Sequence, residues 1–307
     1  MHPWNQPILD AFRKRLERLP HALLVHGPRG VGKLALAERL AQLMLCESAD
    51  VGCRPCDSCD ACRWFVAENH PDYRRVEPEI LWKEPPANKD KPSRVVKIEQ
   101  VREDLEAFVN LKSHRAGLRV VVLHPADEMQ SVAISALLKN LEEPPPGAVF
   151  ILVAHRPALL PATIRSRCIA VPVPVPPRDA ALRWLAGEGA KGAERWLAYA
   201  GGAPLRALQY AGQAESLERL LASPAPTDDR EDLERLAEAL QKIALDKALL
   251  AFGLPSRFQT GAKAPAGEAA RAWLTYARRM GHDRLLTQHP LNARLFSSEM
   301  LAARPKS

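Results

Sequence analysis

Ala22-Leu23-Leu24-Val25-His26-Gly27-Pro28-Arg29-Gly30-Val31-Gly32-Lys33-Leu34 is the stretch that decides the fold. An apolar run ends in a glycine-rich loop, and the loop opens a helix over 33–46 with Leu36, Leu40 and Leu43 on one face. Gly27, Gly30, Gly32 and Lys33 follow the pattern G-x-x-x-x-G-K-[ST] of a phosphate-binding loop. Glycines let backbone N–H groups turn inward around phosphate oxygens, and the helix N-terminus adds a favourable partial charge. Lys33 is placed to reach the β/γ-phosphates of a nucleotide. The last position is Leu34, where a Ser or Thr hydroxyl normally ligates Mg²⁺ and leucine offers no oxygen.

Hydrolysis also needs a second strand that ends in an acidic Mg²⁺ ligand. The apolar run Val120-Val121-Val122-Leu123 is that strand, but His124-Pro125 follows it. Asp127-Glu128 comes next, roughly 10 Å further on if the chain stays extended. Two independent Mg²⁺ contacts are therefore missing, and the expectation is a nucleotide fold that does not hydrolyse.

Around this centre, strands alternate with helices. A short strand is expected at 73–77, strands buried on both faces at 119–123 and 149–154, and helices at 98–109 and 132–143. Pro144-Pro145-Pro146 stops the second helix. Before the loop, Ile8, Leu9, Phe12, Leu16 and Leu19 read as one amphipathic helix. Residues 78–93, rich in Pro, Lys and Glu, read as an exposed loop. The expected fold class is α/β with a parallel sheet covered on both sides. At 171–177, Val-Pro-Val-Pro-Val-Pro-Pro has few backbone donors and fits an extended linker or edge segment. Beyond it the pattern is helical: short helices over 178–212, then 215–221, 231–252, 268–280 and 292–303, with a loop at 255–267.

The chain has 307 residues, 47% of them hydrophobic, enough for two or three domains with ample core. A net charge of +7 suits an acidic partner such as nucleic acid, although no block of Lys or Arg stands out. No run of about 18 apolar residues is present to cross a membrane. Met-His-Pro-Trp-Asn-Gln at the start lacks a basic segment followed by an apolar core, so a cytoplasmic location is expected.

Five of the six cysteines lie between Cys46 and Cys62, a metal-site distribution rather than a disulfide framework. Cys53, Cys56, Cys59 and Cys62 repeat every third residue, with Cys46 upstream, so five thiols compete for four places. Four thiolates close a tetrahedral Zn²⁺ site that is structural rather than catalytic. The rival is an iron–sulfur cluster, whose usual Cys-Pro ending is absent here.

Three further runs carry a resemblance. They are Lys97-Ile98-Glu99-Gln100-Val101-Arg102, Ala136-Leu137-Leu138-Lys139-Asn140-Leu141-Glu142-Glu143-Pro144-Pro145, and Ile164-Arg165-Ser166-Arg167-Cys168. Together, in that order, they resemble AAA+ clamp-loader subunits, and among these the delta-prime family of bacterial DNA polymerase III. His70-Pro71-Asp72-Tyr73 is similar as well. The resemblance implies an AAA+ domain over 1–170 with an inserted zinc module at about 46–62. A small helical lid at 171–212 and a helical collar at 213–307 would follow. It implies a non-hydrolysing stator beside gamma/tau motor subunits and a delta subunit; Gly27, Gly30, Gly32 and Lys33, which this chain keeps, either hold ATP or ADP without cleaving it or only shape the turn. The assembled ring would act on the sliding clamp and primed DNA. Arg167 would be a finger supplied in trans to a neighbour's γ-phosphate. The family pattern selects Cys46, Cys56, Cys59 and Cys62 as ligands, with Cys53 spare or an alternative. The rival is an active motor subunit of the same ring, against which Leu34, His124 and Pro125 count. His155 falls where a γ-phosphate sensor would lie, but reads more simply as a surface histidine. Arg206 falls in the region of a second sensor or caps a helix. Trp184, Trp196 and Trp273 read as core.

Overall fold

The computed structural model describes residues 1–16, 19–83, 92–115, 117–265, 269–287 and 291–305. They form two compact units, Met1–Val175 and Pro176–Ser307.

The first unit is built on five strands: β1 (Ala22–His26), β2 (Tyr73–Val76), β3 (Arg119–Leu123), β4 (Ala148–Ala154) and β5 (Ile169–Pro172). Their order is β2-β3-β4-β1-β5 and every pairing is parallel. All residues of β3 and β4 are buried, as continuous Val, Leu and Ile runs require when helices cover both faces. Side chains of β4 alternate. Ala148, Phe150, Leu152 and Ala154 join a core with Val101, Leu105, Phe108, Ala133, Leu137 and Leu141. The opposite face is covered by α2 (Lys33–Leu45), which packs on β3 and β4.

The remaining helices of this unit are α1 (Gln6–Arg13), α3 (Asp60–Val66), α4 (Ala107–Asn110), α5 (Ser131–Glu142) and α6 (Ala162–Arg167). The helix expected over 98–109 forms, but its centre, Gln100–Glu106, is π-helical and only its end is α4. The N-terminal helix stops at Arg13, before Leu16 and Leu19; residues 17–18 lie outside the described residues. Of the expected loop 78–93, Glu79–Leu81 makes one 3-10 turn, and 84–91 lie outside the described residues. The proline-rich run begins as β5, an edge strand beside β1. Only an edge tolerates residues such as Pro172 that cannot donate to the ladder. Val173 still donates to His26 O at 2.8 Å, extending the pairing to the start of the phosphate loop.

The second unit is helical among its described residues: α7 (Arg178–Gly187), α8 (Ala193–Tyr199), α9 (Pro204–Gly212), α10 (Ala214–Ala222), α11 (Arg230–Ala251), α12 (Ala270–Leu286) and α13 (Ala293–Ala302). Helix α12 runs further than the expected 268–280; position 268 lies outside the described residues, as do 266–267 of the expected loop. Helix α11 serves two apolar clusters. Leu236, Ala237 and Leu240 pack with Trp273, Tyr276, Met280 and Met300, while Ala239 and Ile243 pack with Ala181, Leu185, Trp196 and Tyr199. Trp196 and Trp273 are buried and Trp184 packs against the second cluster, as the sequence reading expects.

Asp246, fully buried on α11, accepts hydrogen bonds from the backbone N–H groups of Arg257, Phe258 and Thr260 and from the Thr260 hydroxyl. A single carboxylate thus ties down the loop that follows the helix.

Candidate functional site

Parallel pairing gathers the carboxyl ends of β1, β3 and β4 on one edge of the sheet, where ligands bind in open α/β folds. His26 stands level with Ala154 in the ladder, and Leu123 with Leu152. The phosphate loop, His124 and His155 therefore emerge together. Gly27, Gly30 and Gly32 have φ of 149°, 82° and 83°, conformations that favour glycine. A Cβ on Gly27 would lie 2.2 Å from the Val173 carbonyl oxygen, and one on Gly32 would lie 2.3 Å from the His2 ring.

The N-terminal residues strap this loop. Trp4 Nε1 donates to Val31 O at 2.9 Å, and the buried Asn5 amide donates to Val31 O and Gly32 O at 3.1 and 3.2 Å. Sequence reasoning missed this strap, because nothing in His2-Pro3-Trp4-Asn5 announces a partner 27 residues away. Lys33 is 3% exposed, and its Nζ donates to Gly27 O at 2.7 Å and Pro28 O at 2.5 Å. Burial lowers its pKa to about 8, against the raising effect of the Asp127 charge.

His155 is not a lone surface histidine. Its ring meets that of His124 edge-on, with centroids 5.4 Å apart. Burial, and then the charges of Lys33 and Arg29, lower the His124 pKa to about 4 and hold His155 well below the usual histidine range. Both rings are neutral at physiological pH. Asp127 is near enough for its charge to act on Lys33, but its side chain is fully buried and occupied. It accepts from the backbone N–H groups of His155 and Arg156 at 2.8 and 3.0 Å, and from Arg156 Nε at 3.4 Å. Glu128 is paired with Arg29 of the loop.

Arg167 ends α6. It forms an ion pair with Glu142 at 2.6 Å, its Nη1 donates to Thr163 O at 2.9 Å, and about a third of the side chain, 34%, is exposed. Thus the Leu-Glu-Glu-Pro-Pro and Ser-Arg-Cys runs, distant in sequence, meet through one charge pair. The Lys-Ile-Glu-Gln run is a local clamp: the Gln100 amide donates to Glu77 O at 2.8 Å, and Lys97 Nζ reaches Glu79 at 2.8 Å. In His-Pro-Asp-Tyr, the buried Asp72 accepts from the backbone N–H groups of His114 and Arg115. Arg206, in the second unit, neither caps a helix end nor stands free: it pairs with Glu238 at 2.6 Å.

At the end of α2 the sulfurs of Cys46, Cys56, Cys59 and Cys62 all lie within 4.8 Å of one another. Zn–S bonds of about 2.3 Å in a tetrahedron put sulfurs about 3.8 Å apart, and Cys46 and Cys59 are separated by 4.0 Å. Backbone N–H groups of Cys56, Cys59 and Cys62 point at the sulfurs of Cys46, Cys56 and Cys59, at 3.3 to 3.4 Å. Such donors favour the thiolate form that a metal requires. The donor set therefore fits a four-coordinate ion. Cys53 stands apart, exposed, donating to Asp50 at 2.9 Å.

Residues 5–176 match the family described as DNA polymerase III, delta subunit. Proteins named DNA polymerase III subunit delta' are similar to this chain. That of Pseudomonas aeruginosa is 40% identical over 223 residues, covering 71% of this chain and 64% of its own. This chain belongs to the DNA polymerase III delta-prime family. The delta-prime subunit of Haemophilus influenzae is 33% identical over 62% of this chain and 54% of its own length, and that of Escherichia coli is 33% identical over 61% and 53%. The alignments thus span about half to two thirds of these delta-prime relatives. Among solved structures, a DNA polymerase III gamma subunit-related protein from Thermotoga maritima covers 96% of this chain and 97% of its own, at 18% identity and a TM-score of 0.49. No helix among the described residues is long and apolar enough to cross a membrane.

Proposed function

We propose that this chain is a clamp-loader subunit of DNA polymerase III that does not hydrolyse ATP and serves as the stator of the ring. In this reading it supplies Arg167 in trans to a neighbouring gamma/tau motor subunit and assembles with delta. The ring then loads the sliding clamp on primed DNA, in the cytoplasm. In the same reading 171–212 is a small helical lid, and the collar at 213–307 joins the chain to its ring neighbours.

The observation that carries the reading is the contrast between two places in one unit. The phosphate loop has Leu34 and His124 where metal ligands belong, and its nearby carboxylates are engaged elsewhere. Arg167 meanwhile sits partly exposed at a helix end, held in position by Glu142. A guanidinium aimed at a neighbour's γ-phosphate stabilises charge spread over the phosphoryl oxygens, an effect of about 10³–10⁵ in rate in well-studied cases. Lysine lacks the planar fork of donors. The four clustered cysteines would hold a structural Zn²⁺ that closes the 46–62 loop.

The test is reconstitution with gamma/tau and delta. Arg167→Ala and Arg167→Lys should leave this chain folded and the ring assembled, yet depress ATP turnover by about a hundredfold or more. Unchanged turnover in an assembled ring would remove the finger. Alone, the chain should show no Mg²⁺-dependent turnover above its Lys33→Ala control.

A further inference from the structure

Mg²⁺ is the ion that a phosphate-loop fold implies, and the residues around this loop do not fit it. Mg²⁺ demands oxygen ligands in near-octahedral geometry. Leu34 has no oxygen, and β3 runs into His124 and Pro125 rather than a carboxylate. The two carboxylates that follow are both committed, Asp127 to the backbone of His155 and Arg156, and Glu128 to Arg29.

The groups left at the loop suit an anion. Lys33 gives two N–H bonds to the carbonyls of Gly27 and Pro28 and keeps a third donor. Nδ1 of His124, Nδ1 of His155 and Nη2 of Arg156 are buried and have no hydrogen-bond partner among the described residues. Buried polar atoms left in this state cost stability, which a ligand that pairs them recovers. Their surroundings are electropositive: Lys33 and Arg29 act on both imidazoles, and Arg156 acts on His155.

We infer that this phosphate loop binds the diphosphate group of its ligand as a metal-free anion, with Lys33, His124, His155 and Arg156 standing where Mg²⁺ and its ligands stand in a hydrolysing site. The ligand class is an uncomplexed diphosphate, carried by ADP or free as inorganic diphosphate. Chelation by Mg²⁺ removes charge from that group and surrounds it with a hydrated ion for which Leu34 and His124 provide no oxygen ligand. This inference deepens the nucleotide side of the proposed function and is independent of Arg167. Ring turnover in Arg167→Ala and the metal response of binding are separate readouts.

The experiment is isothermal titration of the purified full chain with ADP in excess EDTA, with ADP in excess MgCl₂, and with inorganic diphosphate in EDTA. ADP should bind at least as tightly in EDTA as in magnesium, and Lys33→Ala should weaken it by about tenfold or more. Diphosphate binding as tightly as ADP assigns the site to the inorganic anion. Weaker diphosphate binding assigns it to the nucleotide. Either supports a metal-free site. His124→Asp restores an oxygen at the end of β3 and should reverse the order, so that magnesium tightens ADP binding. Wild-type binding that disappears in EDTA, or no binding of either ligand, would overturn the inference whatever the variants do.

Discussion

Replacing Glu238 with Gln tests whether the second unit depends on one buried charge. Glu238 is buried on α11, where Arg206 donates to its two oxygens at 2.6 and 2.8 Å, Tyr210 at 3.0 Å, and Lys242 approaches to 2.8 Å. Burial alone would raise its pKa. The charges of Lys242, Arg206 and Arg284 outweigh burial and pull it from 4.5 to about 2. Each tenfold change in proton affinity is worth about 1.4 kcal/mol, so the ionised carboxylate contributes about 3 kcal/mol at neutral pH. Removing one member of a buried pair costs a similar amount, about 3–5 kcal/mol. Glutamine keeps the shape and loses the charge. Amides of α11 in Glu238→Gln should therefore exchange about a hundredfold faster than wild type at pH 7 in a full-chain hydrogen-exchange experiment. The folded-state pKa is depressed, so the contribution is complete above about 4.5 and is lost as pH falls toward about 2. The gap between variant and wild type should shrink over that window. Equal exchange at pH 7, or a gap that does not change with pH, would refute the reasoning.

Asp127→Ala orphans two partly buried backbone N–H groups and should destabilise the first unit by about 1–3 kcal/mol in urea titration. Gly27→Ala should cost more than Gly32→Ala in thermal denaturation. The new Cβ on Gly27 meets the backbone oxygen of Val173, whereas that on Gly32 meets the movable His2 ring. Chelation should release one Zn²⁺ per chain, read by a colorimetric indicator. Cys46→Ser or Cys62→Ser should abolish that release, and Cys53→Ser should leave it unchanged.

The α/β architecture was legible because its signals are local. A five-residue apolar run, glycines at fixed offsets and a leucine stripe need only neighbouring residues to be read, and β1, β3, β4 and α2 lie where those patterns put them. The spacing of the cysteines reduced the metal question to five thiols. Their grouping into Cys46, Cys56, Cys59 and Cys62 depends on how the end of α2 turns toward α3, which spacing does not encode. The same limit applies at the loop. Sequence placed Leu34 and His124 where a hydrolysing loop carries metal ligands, but an extended-chain distance said nothing of what Asp127 bonds. Its return toward β4 is a tertiary hydrogen-bonding event with the backbone of His155 and Arg156. Sequence reasoning misjudged His155, which is half-buried against His124 because the ends of β3 and β4 align. Arg167 with Glu142, Arg206 with Glu238, and Trp4 and Asn5 on the phosphate loop join residues from 25 to 32 positions apart. Periodicity and composition determined which elements form. Only packing decided which charges and donors those elements bring within hydrogen-bonding distance, because hydrogen-bond partners are chosen by distance in space rather than along the chain.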